Sequence, residues 1–263
     1  MKTWKVFLGI GVSLLIVGII VFLIGLGLNN WKFKVEYEMK TFNSTQENTA
    51  LDLNLAAGEM NVEFYEGDSV EVTYPTSAAY GYEVSEFGGT VKVASRRNRF
   101  IWFGWYKIPT VTVKIPNDKV MDMNLQLSAG KATVADGTFG GFKVSLSAGD
   151  VNAGNIKCAD CNVKLSAGSI DVSGLECTKL DLKLSAGSAD VGKIKTDYIN
   201  VKLSAGTANL TVCGSQSEYL ASVEKSAGSC NLADQLLPPG AVDNFKHINV
   251  SLSAGSVNFY FTD

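Results

Sequence analysis

The tetrapeptide Leu-Ser-Ala-Gly recurs at 127–130, 146–149, 165–168, 184–187 and 203–206, each copy 19 residues after the last. It returns as Lys-Ser-Ala-Gly at 225–228 and Leu-Ser-Ala-Gly at 252–255, and Leu-Ala-Ala-Gly at 55–58 reads as an outlying first copy. A constant period of this length is the mark of a stacked repeat architecture, in which each unit is one supersecondary element that cannot bury its own apolar side.

The alternation inside each copy says what the element is. Before each Ala-Gly, apolar residues fill every second position: Phe142, Val144, Leu146; Cys161, Val163, Leu165; Leu180, Leu182, Leu184; Ile199, Val201, Leu203. Period two with β-branched residues describes a strand buried on one side. After the glycine the apolar phase moves by one, to Val151, then Ile170 and Val172, Ala189 and Val191, Ala208 and Leu210. That shift is what a corner does to a strand, and glycine supplies the backbone freedom a corner needs. A third apolar column recurs at Ile156, Leu175, Ile194 and Cys213. The expected fold is all-β, a parallel β-solenoid of 19-residue rungs stacked in chain order. The Leu and Ala ladders fill its interior; a Ser ladder (Ser128 to Ser253) and an Asn/Asp ladder (Asn61, Asn152, Asp171, Asp190, Asn209, Asn231, Asn258) run outside. The spacing lengthens in the last two units, with Pro238-Pro239-Gly240 marking an insertion. Lys225 takes an interior Leu position, so its rung must distort or the Lys must reach outward. Val257, Phe259 and Phe261 are expected to close the open end, which would otherwise invite edge pairing.

Upstream of the repeats, residues 6–28 form an uncharged apolar run flanked by Trp4 and Trp31. A helix of that length crosses a hydrocarbon core of roughly 30 Å. The run is longer than a signal-peptide core and lacks an Ala-x-Ala-like site, so an uncleaved anchor is expected. The resulting organisation is a short cytoplasmic tail (1–5), a transmembrane anchor (6–28), a juxtamembrane linker (29–49) and a repeat domain (50–263) on the outer face. Within the last, 59–120 departs from the period and 121–263 keeps it. In the irregular part, Phe100, Ile101, Trp102, Phe103, Trp105 and Tyr106 follow three arginines. They are candidates for contact with an anionic membrane or a partner, or for a hairpin folded back over the terminal rung.

Little in the composition suits catalysis. The net charge of −3 argues against a nucleic-acid binder. One histidine and five cysteines limit metal and nucleophile chemistry, and Cys158-Ala-Asp-Cys161 lacks the second ligand pair of a zinc site. Cys158 and Cys177 are 19 residues apart, so stacking brings them one strand spacing apart, within disulfide reach. Asp171 and Asp190 would stack at about the carboxylate spacing of a retaining glycosidase. Their ladder neighbours are Asn152 and Asn209, with no cleft-forming loops, so solvated polar side chains are expected rather than catalysis or calcium binding. His247 is expected at the surface, and Lys164, Lys183 and Lys202 stack as like charges on one face, softened by Asp181: a solvated face by default, or a stripe that attracts acidic wall polymers. No catalytic residue, metal or cofactor is expected.

The Leu-Ser-Ala-Gly units, Leu-Asn-Leu-Ala-Ala-Gly-Glu-Met-Asn-Val-Glu-Phe at 53–64 and Val-Thr-Val-Lys-Ile-Pro at 111–116 together resemble a bacterial family. Its members are β-strand-repeat domains of unknown function labelled "putative adhesins", and the likeness spans about 50–263. The resemblance implies a β-solenoid at the cell surface, sometimes linked to envelope-stress operons of Gram-positive bacteria, and carries over no catalytic residues. Three function classes follow. They are a non-enzymatic adhesive or structural surface module, an accessory of an envelope-stress or signalling system that docks partners, and a carbohydrate-active solenoid enzyme. No site for the third is visible. Partners would be the membrane through the N-terminal helix, and cell-wall polymer or a protein.

Overall fold

The computed structural model describes residues 15, 17–21, 36–77, 80–97, 108–234 and 245–262. The chain divides into two units, Met1–Glu36 with Arg99–Lys107, and Tyr37–Asn98 with Ile108–Asp263. In the first, Leu15 and Val17–Val21 are helical. Among the described residues no helix is long and apolar enough to cross a membrane, and most of the expected span 6–28 lies outside them.

The second unit is all-β. Its opening strands are β1 (Glu38–Asn43), β2 (Ala50–Leu55), β3 (Glu59–Tyr65), β4 (Glu71–Thr76), β5 (Tyr80–Phe87), β6 (Thr90–Arg97) and β7 (Val111–Pro116). The regular repeats give β8 (Met121–Leu127), β9 (Lys131–Val134), β10 (Gly137–Leu146), β11 (Asp150–Lys157), β12 (Asp160–Leu165), β13 (Ser169–Glu176) and β14 (Lys179–Leu184). They continue as β15 (Ser188–Lys195), β16 (Tyr198–Leu203), β17 (Thr207–Cys213), β18 (Tyr219–Lys225), β19 (Ser229–Cys230), β20 (Lys246–Leu252) and β21 (Ser256–Thr262).

Each Ser-Ala-Gly joins a strand before it to a strand after it, and the two kinds stack separately. The strands before the corner pair in parallel in the order β6, β2, β8, β10, β12, β14, β16, β20, β18. Those after it run β7, β3, β9, β11, β13, β15, β17, β21, β19. Register follows the 19-residue period, so Leu146 lies on Leu165, Leu165 on Leu184 and Leu184 on Leu203. These leucines, with Val144, Val163, Leu182 and Val201 beside them and Val151, Ile170 and Ala189 from the second stack, are buried in one continuous core. Each leucine so buried contributes roughly 1.5–3 kcal/mol.

At the corner, the serine N–H donates to the leucine carbonyl of the neighbouring rung, Ser166 to Leu146 at 2.8 Å and Ser185 to Leu165 at 2.8 Å. The glycine then takes a positive φ (99° at Gly168) and its α-carbon lies against the backbone of the glycine below. A Cβ on Gly168 would collide with the Gly149 carbonyl, so both the dihedral and the close approach require glycine. The alanine of each motif (Ala129, Ala148, Ala167, Ala186, Ala205) is exposed at this tight turn. This corrects the expectation of an interior Ala ladder; the buried alanines are Ala132, Ala153, Ala189, Ala208 and Ala221, on strands.

The spatial order departs from chain order at both ends. Ser253 donates to Leu203 and Ser226 donates to Leu252, each at 2.9 Å, so the rung of β20–β21 lies between β16–β17 and β18–β19. The terminal rung is therefore β18–β19, and Phe259 is buried inside the stack instead of closing it. Lys225 falls on the outermost strand, where it is exposed, so no interior position has to hold its charge. Likewise β2–β3 sits between β6–β7 and β8–β9: Ser128 donates to Leu55 at 2.8 Å, which makes 55–58 a true corner of the ladder. Within 59–120, β4 and β5 pair antiparallel with β7 and β6, while β3, β6 and β7 also belong to the parallel stacks. Cys213 leaves the third apolar column for a mechanical reason. The pairing of β15 with β17 shifts by one residue after Val191, so Val212 takes the buried place opposite Ile194 and Cys213 is half-buried.

Both ends are blunted. At one, the hydroxyls of Tyr80 and Tyr82 donate to the Ala57 carbonyl at 2.9 and 3.1 Å, satisfying the last corner of the ladder. At the other, Asn231 acts as a strand in miniature: its Nδ2 donates to Phe259 O at 2.7 Å and its Oδ1 accepts from Phe259 N at 2.8 Å. Asp234 accepts from Val223 N on the terminal strand at 2.7 Å. Side chains that occupy edge donors and acceptors in this way keep a sheet from recruiting another.

Candidate interaction surfaces

The alternation that fills the core fixes what faces outward, so the surfaces are rows of side chains at strand spacing, about 4.8 Å apart. On the face of β12, β14 and β16, Lys164, Lys183 and Lys202 lie in register and are exposed. Among the described residues none of the three joins an ion pair. The nearest acid on this face, Asp181, is engaged elsewhere: it accepts from Lys179 at 2.8 Å and from Asn200 at 2.7 Å. Desolvation works to raise the Asp181 carboxyl, but those two contacts outweigh it and hold the group below its ordinary value. The lysine row is therefore a stripe of positive charge that joins no ion pair among the described residues and is softened by Asp181, whose carboxyl Lys183 also helps to hold down.

The stack of β13, β15 and β17 carries the Asn/Asp row. Asp171 and Asp190 are in register, Asn209 donates to Asp190 at 2.6 Å, and Asn258 donates to Asn209 at 2.9 Å. These bonds knit the row along the stack. Asp150, one rung position earlier, binds the Ser169 hydroxyl.

A groove of 380 Å³ opens on the lysine-bearing sheet nearer its other end, lined among others by Asp52, Asp122, Asn124, Gly141, Lys143 and Asp160. Beside it Asp122 fixes a bulge in β10 by accepting from Gly141 N at 2.7 Å. Sequence periodicity does not reveal this groove, since it depends on the extra residue between Phe139 and Phe142.

The remaining candidates fall as follows. Phe100, Ile101, Trp102, Phe103, Trp105 and Tyr106 lie outside the described residues. His247 stands within β20, its ring stacked on Tyr198 with centroids 5.4 Å apart. Cys158, Cys161 and Cys177 are buried together as free thiols. Hydrogen bonding with Cys161, along with burial, pushes the Cys158 thiol up to about 12; the Cys158 contact and burial push Cys177 higher still. Such thiols are poor nucleophiles and poor metal ligands. Among the described residues, no three His, Cys, Asp or Glu side chains are grouped to hold a metal ion.

A family model described as Toastrack DUF4097 matches residues 48–235. Among solved structures, a "putative adhesin" from Bacteroides fragilis aligns with a TM-score of 0.53 at 12% identity, covering 87% of this chain and 100% of that one. A "putative cell adhesion protein" from Clostridium sporogenes gives 0.34 at 13% identity, over 86% and 100% of the two chains. A "putative lipid binding protein" from Parabacteroides distasonis gives 0.31 at 11%, over 86% and 97%. No curated protein matches the chain. The Bacteroides likeness is one of fold.

Proposed function

Because the chain belongs to the Toastrack DUF4097 family, a domain family of unknown function, we propose that it is a non-enzymatic surface module, tethered by its N-terminal apolar run and displayed outside the cell. It binds an acidic polymer of the cell wall along its flat sheet. The observation that carries this reading is the row of Lys164, Lys183 and Lys202, in register, exposed and unpaired among the described residues. Like charges held one strand apart repel one another, and a linear polyanion lying along the stack relieves that repulsion. The adhesin label of the Bacteroides fragilis structure is compatible with this role. The anchor rests on the uncharged run at 6–28, whose length matches a bilayer.

The test is sedimentation of the protein with purified cell wall and with a wall stripped of its anionic polymers, across a salt series. Binding should require the anionic polymer and weaken with salt. The variant Lys164→Gln/Lys183→Gln/Lys202→Gln should lose most of it. Equal binding by the variant would remove the lysine row from the proposal.

A further inference from the structure

One buried column takes no part in the binding faces. In the short turns from β11 to β12, β13 to β14 and β15 to β16 stand Cys158, Cys177 and Thr196, linked along the stack by Cys158 N donating to Glu176 O at 2.9 Å and Cys177 N donating to Lys195 O at 3.0 Å. The Cys177 thiol donates to Thr196 Oγ1 at 3.6 Å, so the side chains of this column face one another along the stack. Both cysteines are 8% exposed. Residues in register on adjacent strands have α-carbons about 4.8 Å apart, inside the roughly 4.4–6.8 Å range that a disulfide spans. Cys161 also touches Cys158, but it belongs to the next sheet, in register between Phe142 and Leu180.

We propose that Cys158 and Cys177 form a rung-to-rung disulfide when the chain folds in an oxidising compartment, which rests on the display outside the cell argued above. The oxidant is itself a disulfide, of a thiol oxidase or of glutathione. A Cys158 thiolate attacks it, forming a mixed disulfide and releasing one thiol. The Cys177 sulfur then attacks Cys158 Sγ and expels the second. Two S–H bonds are lost and one S–S bond is gained; two electrons and two protons pass to the oxidant, which leaves as two thiols. Burial and the raised thiol pKa make the exchange slow once the corner is packed, so it belongs to folding. The product staples two central rungs together, which in a stack held by nearest-neighbour contacts suppresses opening in the middle.

The experiment is refolding of the full chain in detergent with a mixture of reduced and oxidised glutathione, followed by peptide mapping under non-reducing conditions. It needs no cell, so its outcome is independent of where the protein is displayed. The expected result is a peptide pair joined through Cys158 and Cys177, lighter by two hydrogens than the free pair, with Cys161 alkylatable. Cys161→Ala should keep the bond. Oxidised wild type should resist urea more than reduced wild type, by on the order of a hundredfold in the unfolding equilibrium. Free Cys158 and Cys177 after refolding, or a bond from Cys158 to Cys161, overturns the proposal.

Discussion

Replacing Gly168 by alanine probes the feature on which the stack depends. Gly168 has φ 99°, and a Cβ there would meet the Gly149 carbonyl, which already accepts from Ser169 N at 3.0 Å. The left-handed dihedral alone costs an alanine roughly 1–2 kcal/mol. Displacing the neighbouring carbonyl weakens a ladder hydrogen bond worth about 1 kcal/mol. The sum is about 2–3 kcal/mol, and it should rise if the shift passes to the next rung through Ser188 N, which donates to Gly168 O at 3.0 Å. Gly88 provides the control: its φ is 57°, but a Cβ there meets nothing within 4 Å. Gly88→Ala should cost only the dihedral, about 1 kcal/mol. Urea unfolding of the two variants, monitored by far-ultraviolet circular dichroism, gives both values. Equal losses would mean that the close packing of corner glycines contributes nothing and that the ladder is held by its leucines alone.

Three other perturbations follow from named contacts. Asn231→Ala removes both bonds to the Phe259 backbone and should cost roughly 1–2 kcal/mol while exposing an unpaired edge. Combined with Asp234→Ala it should raise light scattering on standing, and an unchanged scattering trace would show that the edge is protected otherwise. Glu86 ties down the 45–48 turn, accepting from Thr45 N at 3.0 Å, Gln46 N at 3.1 Å and Asn48 Nδ2 at 2.6 Å. Desolvation acts to raise its carboxyl, but these donors outweigh it and hold it below the ordinary value. A depressed folded-state value stabilises the fold above the ordinary carboxylate pKa, about 4.3, and that contribution disappears as pH falls through the folded value. The urea midpoint of wild type should therefore drop more between pH 6 and pH 3 than that of Glu86→Gln, and parallel pH profiles would contradict the assignment. Leu182→Ala, at a position with no exposure, should cost about 2–5 kcal/mol in the same assay.

Much of the fold was legible because the repeat is simple physics. A period of 19 with alternating apolar residues allows the rungs one register, since a slip of one residue would turn Leu165 and Val163 outward. Rung order was not legible from the motif, because Lys225-Ser-Ala-Gly and Leu252-Ser-Ala-Gly fit either place. The deciding information lay in one residue. Between two leucine rungs Lys225 would be a buried charge, whereas on the terminal strand it reaches water. Alternation does not reveal the exposed alanines, because the tight turn at the corner interrupts it and leaves the residue after the serine outside. The shift that displaced Cys213 and the bulge that made the groove are both one-residue irregularities in pairing, which a periodic reading averages away. For the surfaces, the lysine and Asn/Asp rows could be read directly, since register alone determines them.

Display on the outer surface is the claim on which the proposed role depends, and protease shaving of intact cells tests it most directly. Cells treated with an impermeant protease should release a fragment that mass spectrometry finds to begin near residues 30–50 and to contain the whole repeat domain. A domain protected in intact cells and cut only after lysis would place it on the other side of the membrane and contradict the role in binding the cell wall.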